Sequence, residues 1–528
     1  MATRTVGSGD GRSLGVVLAA AAIAAAVLSP LAWLLAGGVN ALDSLGLLVA
    51  DTTVRVFVNS TLLAGAVTAA SIAIGVPLAV LTVRTDLPGK RTLTVLLAMP
   101  LVVPSYIGAF AFVSAFGPRG RLQDLLAPLG VGSLPSIYGF TGTVLVLTLY
   151  TYPYVFITTR ASLKTLDTTL VDAARTLDHT RWEAFRRVTF PQIRPSIGAG
   201  SLLVALYALS DFGTPQIMRF DVFTRVIYSA QKYNLDLATL LSLQLVAVTL
   251  VVLALESRVR GGGVTSEHPG RRTSLLRLGR WKLPALCACL AVPTLALAVP
   301  LGVLGFWLIS GGQTSSSLAF ELSYALNSLW LAAAAALLAA LCGLPIAYVA
   351  ARRDGPAAAA LERSAYVGYA VPGIVIGFAL VFFGARYGGA LYRQGLLLLP
   401  LLVFAYVVRF LPQSVGSTRT SFEQVSPALE EAARTLGEPP LRAFRRVTLP
   451  LVAPGLLGGA ALVSLTTMKE LPATLLLRPP GFDTLVTHLW AAEQQGYYGQ
   501  AALPALVLLV VSALSLLVMV RLEGYDVE

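Results

Sequence analysis

Apolar residues run in blocks of about twenty along this chain, and charged residues collect in the short intervals between them. Blocks of that length, wound as helix, reach across the hydrocarbon core of a bilayer. About twelve such helices are predicted. Six lie near residues 14–36, 60–83, 92–116, 137–159, 196–216 and 236–256. Six more lie near 283–309, 325–350, 364–384, 395–416, 455–476 and 502–520. Proline recurs inside these blocks, which spanning helices tolerate where neighbouring groups re-satisfy the backbone. The expected fold class is an all-α polytopic membrane protein.

Composition points the same way. Of 528 residues, 56% are hydrophobic and 12% are charged, and the mean hydropathy is +0.74. A water-soluble domain carries about 25% charged residues, so the solvent expected for most of this surface is the lipid bilayer. The 39 Lys and Arg outnumber the 27 Asp and Glu, a balance that can signal nucleic acid. Their placement decides otherwise. With both termini cytoplasmic, most of the basic residues fall on cytoplasmic segments, the positive-inside pattern. Basicity here records orientation, and no nucleic-acid partner is expected. The first apolar block is longer than the roughly 7–15 residues of a signal-peptide core, so it reads as a span.

No metal site is assigned. Cys287 and Cys289 share one apolar block and Cys342 lies in another, with no further ligands nearby, and His179, His268 and His488 are scattered. Helix packing is the reading for the cysteines.

The chain says much of this twice. Asp172-Ala-Ala-Arg-Thr-Leu-Asp178 aligns with Glu431-Ala-Ala-Arg-Thr-Leu-Gly437 at an offset of 259 (431 − 172). At the same offset AFRRVT at 184–189 meets AFRRVT at 443–448, Pro191 meets Pro450 and Pro195 meets Pro454. Earlier the offset is 268 (327 − 59): Asn59-Ser60 meets Asn327-Ser328, Gly75 meets Gly343, Arg84 and Asp86 meet Arg352 and Asp354, and Pro104 meets Pro372. Six spans per copy is an even number, so the copies are parallel repeats. The first six-span half covers 1–256 and the second covers 283–528. A basic, Gly-rich cytoplasmic linker, 257–282, joins them.

Each repeated island lies between the fourth and fifth spans of its half. Leu429, Ala432, Ala433 and Leu436 recur at helical spacing, as do Leu170, Ala173, Ala174 and Leu177. A second short periodicity follows each, so both islands read as helix, turn, helix. Asp167 and Ser426 are suitable N-caps, and Pro427 suits the first helical position. The turn falls at Gly437, with Asp178 as its less comfortable counterpart. The small Ala-Ala face lets another surface approach closely, with Phe185 and Phe444 as candidate knobs. An ordinary amphipathic loop on the inner leaflet would account for the arginines, but not for one detailed pattern occurring twice. Two equivalent docking elements suit a partner with two equivalent subunits.

EAARTLG followed by a later Leu-Pro resembles the EAA loop of binding-protein-dependent ABC importer permeases, in the form with two fused halves. The resemblance implies the type I importer permease fold and the inner membrane of a prokaryote. It implies that each loop docks on a dimer of ABC ATPase subunits and that an extracytoplasmic binding protein delivers the cargo. It carries over to Glu431, Ala432, Ala433, Gly437 and Pro450, and in the first half to Asp172, Ala173, Ala174 and Pro191. Asp178 departs from the family's glycine. The chain shows no G-x-x-x-x-G-K-[ST], and Gly89-Lys90-Arg91 lacks both the upstream glycine and the hydroxyl. The chain is therefore expected to be no enzyme and to bind no cofactor, with ATP and Mg held by the partner ATPase.

An acid within a span costs roughly 2.5–3.5 kcal/mol to insert and is a functional candidate by default. Asp211 and Glu470 each lie in the fifth span of their half, again 259 apart (470 − 211). As a pair lining a central pathway they would attract a cation and offer hard oxygen ligands. The alternatives are that Glu470 pairs with the adjacent Lys469, or that both acids cap a broken helix. MKELPATLLLRP is similar to permeases of the ferric iron branch, which implies that cargo. Thiamine, phosphonate, polyamine and molybdate importers share the architecture. A gradient-driven secondary transporter would share the span count but needs no repeated docking loop. A lipid-acting enzyme would need clustered carboxylates or histidines, and the outside segments near 37–58, 117–136 and 477–501 show no such set.

Overall fold

A computed structural model describes residues 10–117, 128, 136–166, 176, 180–260, 276–311 and 314–522. Among them every regular element is helical, and extended pairing is limited to one isolated parallel bridge, Thr85 with Leu276. Nine helices among the described residues are long and apolar enough to cross a membrane. Helix Tyr498–Leu522 closes the described chain where the last span was expected.

The third span of each repeat departs from the expected straight helix. It is a bent pair: Lys90–Val102 with Ser105–Phe116 at 89°, and Pro356–Ala370 with Gly373–Tyr387 at 100°. The break lies at the repeated prolines. Pro104 and Pro372 each stand just before the second member. A proline disfavours the helical region for the residue before it, and Val103 and Val371 are extended, with ψ of 125° and 115°. Hydropathy runs on through the bend, so the apolar pattern conceals it.

The fifth spans also differ from expectation at both ends. They begin earlier than predicted, and each contains a π-helical turn over the shared Phe-Arg-Arg-Val-Thr, residues Phe185–Thr189 and Phe444–Thr448. Leu449 N–H reaches back five residues to Phe444 O, and Phe190 N–H does the same to Phe185 O. The extra residue accommodates Pro450 and Pro191, which have no N–H to continue an α-helical ladder. Pro191 and Pro450 thus lie one residue inside helices Phe190–Ser210 and Leu449–Met468, which run on through them.

Packing groups the chain into two compact units. One comprises Met1–Leu42, Ser315–Gln494 and Val507–Glu528, and the other comprises Asp43–Thr314 and Gln495–Leu506. The sequence repeats record duplication, whereas these units record burial. In the former unit, helix Asp10–Asn40 packs on helices Leu322–Arg352, Pro356–Ala370 and Gly373–Tyr387. Its Trp33 ring lies 5.0 Å from Phe383 and 4.9 Å from Tyr387. In the latter unit, helices Lys282–Pro293 and Val299–Ser310 pack on Lys90–Ala98 and Ser105–Phe116. There the buried Tyr150 hydroxyl donates to Ala296 O at 3.0 Å, and that of Tyr152 to Leu97 O at 2.7 Å. Each repeat's first span therefore packs against helices of the other repeat.

Candidate functional site

The second island is fully described. Helix Pro427–Thr435 opens on Ser426, whose hydroxyl accepts from Ala428 N, with Pro427 in the first turn. It closes at Gly437, whose φ of 93° is left-handed. Glu438 N–H bonds Ala433 O at 3.1 Å and Gly437 N–H bonds Arg434 O at 3.0 Å, the paired closure of a Schellman end. The expected cap, turn and glycine are all in place.

Charges then set the angle of the loop against the fifth span. Glu438 holds Arg446 at 2.6 Å and Arg442 at 3.7 Å, and Thr448 Oγ1 donates to Glu430 Oε2 at 2.8 Å. Glu431 and Ala432 are left on the exposed side, beside a groove lined by Glu431, Arg434, Thr435, Glu438 and Pro440. Phe444, expected as a knob, is half-buried with its ring 5.9 Å from Tyr348. Leu436, 87% exposed, and Leu441 project furthest among the island's apolar side chains, with Leu429 also exposed.

Asp172, Ala173, Ala174 and Asp178 of the first island lie outside the described residues. Its second half is present. Thr180 and Glu183 form a capping box, with Thr180 N–H donating to Glu183 Oε2 at 2.9 Å and Glu183 N–H to Thr180 Oγ1 at 3.2 Å. Phe185 opens the π turn, its ring centroid 6.5 Å from that of Phe190, and Pro191 follows.

The two intramembrane acids take the same local role. Helix Phe190–Ser210 stops at Asp211, and Asp211 Oδ2 accepts Thr214 N–H at 3.0 Å, at the head of the short helix Gly213–Ile217. Its other oxygen accepts from Ser105 Oγ at 2.8 Å, and Tyr207 donates to that hydroxyl at 3.1 Å. In the other unit helix Leu449–Met468 stops just before Glu470, whose Oε1 accepts Ala473 N–H at 3.2 Å. The same oxygen meets Arg409 Nη1 at 3.4 Å. Lys469 is half-buried, and its N–H bonds Thr466 O at 3.2 Å. Both carboxylates thus accept the amide three residues on, at a break in the fifth span.

Arg409 was missed from sequence. The signal existed, since a cation in the middle of the apolar block 395–416 carries the same insertion cost that drew attention to the acids. Asn59-Ser60 and Asn327-Ser328, seen only as repeat markers, turn out to hold the segments that follow the fifth-span breaks. Asn59 Nδ2 donates to Asp221 O at 2.9 Å and Asn327 Nδ2 to Asp483 O at 2.8 Å. The neighbouring serines accept Phe223 N–H at 3.0 Å and Leu485 N–H at 2.9 Å.

Two stretches, residues 71–259 and 343–525, each match the family described as binding-protein-dependent transport system inner membrane component. The chain is 31% identical over 466 residues to the Fe(3+)-transport system permease protein FbpB 2 of Haemophilus influenzae, covering 86% of this chain and 87% of that one. It is 25% identical over 487 residues to the ferric transport system permease protein FbpB of Actinobacillus pleuropneumoniae, covering 87% and 69%. It is also 31% identical over 147 residues to the molybdenum transport system permease protein ModB of Escherichia coli, covering 27% and 62%.

Proposed function

The chain belongs to the family of binding-protein-dependent transport system inner membrane components, and we propose that the cargo it passes inward is ferric iron. It is a multi-pass transport subunit of an ABC importer. One observation carries the choice of cargo. Similarity to an Fe(3+) permease runs through both repeats, over 86% of this chain, whereas similarity to a molybdenum permease covers 27%.

In this reading a dimer of ATPase subunits grips the two islands from the cytoplasm, binds ATP and Mg itself, and leaves this chain without a cofactor of its own. Glu431, Ala432, Ala433 and Gly437 form the second grip, and Asp172, Ala173, Ala174 and Asp178 the first. What supports the grip is the exposed Glu431-Ala432 side with Leu436 projecting beside it. A binding protein delivers the cation on the opposite face, and both termini are cytoplasmic. Asp211 and Glu470 serve the passage of that cation from the breaks in their fifth spans.

The test is uptake in proteoliposomes holding the permease, its ATPase subunits and its binding protein. ATP-dependent entry of labelled ferric iron is expected, with labelled molybdate and thiamine excluded. Entry of molybdate or thiamine without iron overturns the cargo. Entry driven by an ion gradient with no ATPase present overturns the class.

A further inference from the structure

Glu470 and Asp211 occupy equivalent places, yet their surroundings have changed together. Where one repeat has Ser105 the other has Gly373, and where one has Tyr150 the other has Arg409. The changes fit one another. A Cβ at position 373 would collide with both the Arg409 guanidinium and the Glu470 carboxylate. Gly373, at the bend of the third span, is thus the opening through which Arg409 on helix Leu398–Gln424 reaches the break in the fifth.

Behind the pair lies a small cavity of about 10 Å³, room for one water-sized occupant. Its lining mixes apolar Leu331, Met468 and Val486 with Glu470 and five hydroxyl-bearing residues, Thr467 among them. Thr467 Oγ1 is buried and meets no hydrogen-bonding partner among the described residues. Hard oxygen donors around one carboxylate are the chemistry that holds a small hard cation. Glu470 is only 6% exposed, while Arg409 is 21% exposed, so the guanidinium is the wetter partner of the pair.

We propose that Arg409 is a specificity-determining residue that holds the cation's place on Glu470, so that cationic cargo exchanges with a guanidinium there instead of being trapped. This rests on the reading of the cargo as a cation. A bare carboxylate among hydroxyls would bind a multivalent ion and release it slowly. A tethered counter-ion competes with the cargo and returns when the cargo leaves. It also avoids an uncompensated buried charge between cycles, which is costly.

The experiment measures labelled ferric citrate retained by the purified full-length permease after gel filtration. R409Q should retain about tenfold more label than the wild type, a difference of 1.4 kcal/mol in affinity, and R409Q/E470Q should return to the wild-type level. R409Y, which installs the residue that the other repeat carries at this position, is measured alongside in case R409Q fails to fold. Co-purification with the ATPase reports folding for each. Retention no greater than wild type in both R409Q and R409Y overturns the proposal, as does retention that survives E470Q. Failure of the wild type to import iron in the proteoliposome assay instead removes the cargo assignment, and the retention result stands apart from it.

Discussion

Ser328 Oγ accepts the Leu485 N–H at 2.9 Å while donating to Tyr324 O at 2.9 Å, so one buried hydroxyl ties the second span of its repeat to helix Leu485–Gln494. In the other unit Ser60 does the same between Phe223 N–H and Val56 O, at 3.0 and 2.7 Å. The first turn of a helix leaves backbone N–H groups without partners. Here a distant side chain, 157 residues away in sequence for Ser328, supplies the acceptor.

Ser328→Ala should therefore cost about 1 kcal/mol, the usual loss for an N-terminal cap. Thermal unfolding of the purified permease reads it as a lowered Tm. Ser328→Thr, which keeps an oxygen at the same position, should recover most of the loss. An unchanged Tm in the alanine variant would show that water replaces the hydroxyl.

The angle of the second island depends on Glu430 and Thr448. The hydroxyl is buried and its 2.8 Å bond to the carboxylate spans the turn. A double-mutant cycle with Glu430→Ala and Thr448→Val should give a coupling of about 1.5–3 kcal/mol, as for a hydrogen bond to a charged group. Both single variants should also bind the ATPase less tightly, because the docking helix is then free to tilt. Additive effects in the cycle would contradict the link.

Glu431→Lys and Leu436→Asp alter side chains that point away from the protein, so stability should change by no more than about 0.5 kcal/mol. Each should weaken recovery of the ATPase by about tenfold, the effect expected of an interface hot spot. Pull-down of the ATPase from detergent extracts, normalised to inserted permease, measures this. Undiminished recovery would remove these residues from the docking face.

Asp211→Asn with Glu470→Gln should lower ferric iron uptake by about tenfold or more, while ATPase recovery stays at the wild-type level. Both amides keep an oxygen for the caps on Thr214 and Ala473, so the breaks in the fifth spans persist. Uptake equal to wild type would leave the two acids with a capping role alone.

Acid should loosen the end of the linker. Lys282 Nζ lies 2.8 Å from Asp86 Oδ2, and Leu278 N–H donates to Oδ1 at 2.9 Å. The Lys282 hydrogen bond, with help from that amide, holds the Asp86 carboxyl below its ordinary range. A depressed folded value means the stabilisation is complete above the unfolded pKa and is lost as pH falls through the folded one. Protection of the Leu278 amide from hydrogen exchange, corrected for its intrinsic rate, should hold at pH 6 and fade below about pH 4. In Asp86→Asn it should be weak at every pH. Protection in the wild type that is flat down to pH 2 would contradict the assignment.

Much of this protein is legible in its residues one after another. Apolar blocks long enough to cross a bilayer need no knowledge of their neighbours, because lipid forces each backbone to satisfy itself. The duplication and the helix-turn-helix of the island are likewise local. Ser426, Pro427 and Gly437 act within one turn of their own positions, and the structure puts each where its chemistry suggests.

What the tertiary structure decided is everything that depends on which apolar surface meets which. A spanning helix is hydrophobic nearly all round, so its pattern does not name its partner. Only packing shows Asp10–Asn40 lying against helices of the other repeat. Hydropathy also runs unbroken past Pro104 and Pro372, where the chain turns by about a right angle. The partner of Glu470 was hidden for the same reason. Lys469 is its neighbour in sequence, but the guanidinium bonded to it comes from Arg409, 61 residues away, through the gap that Gly373 leaves open.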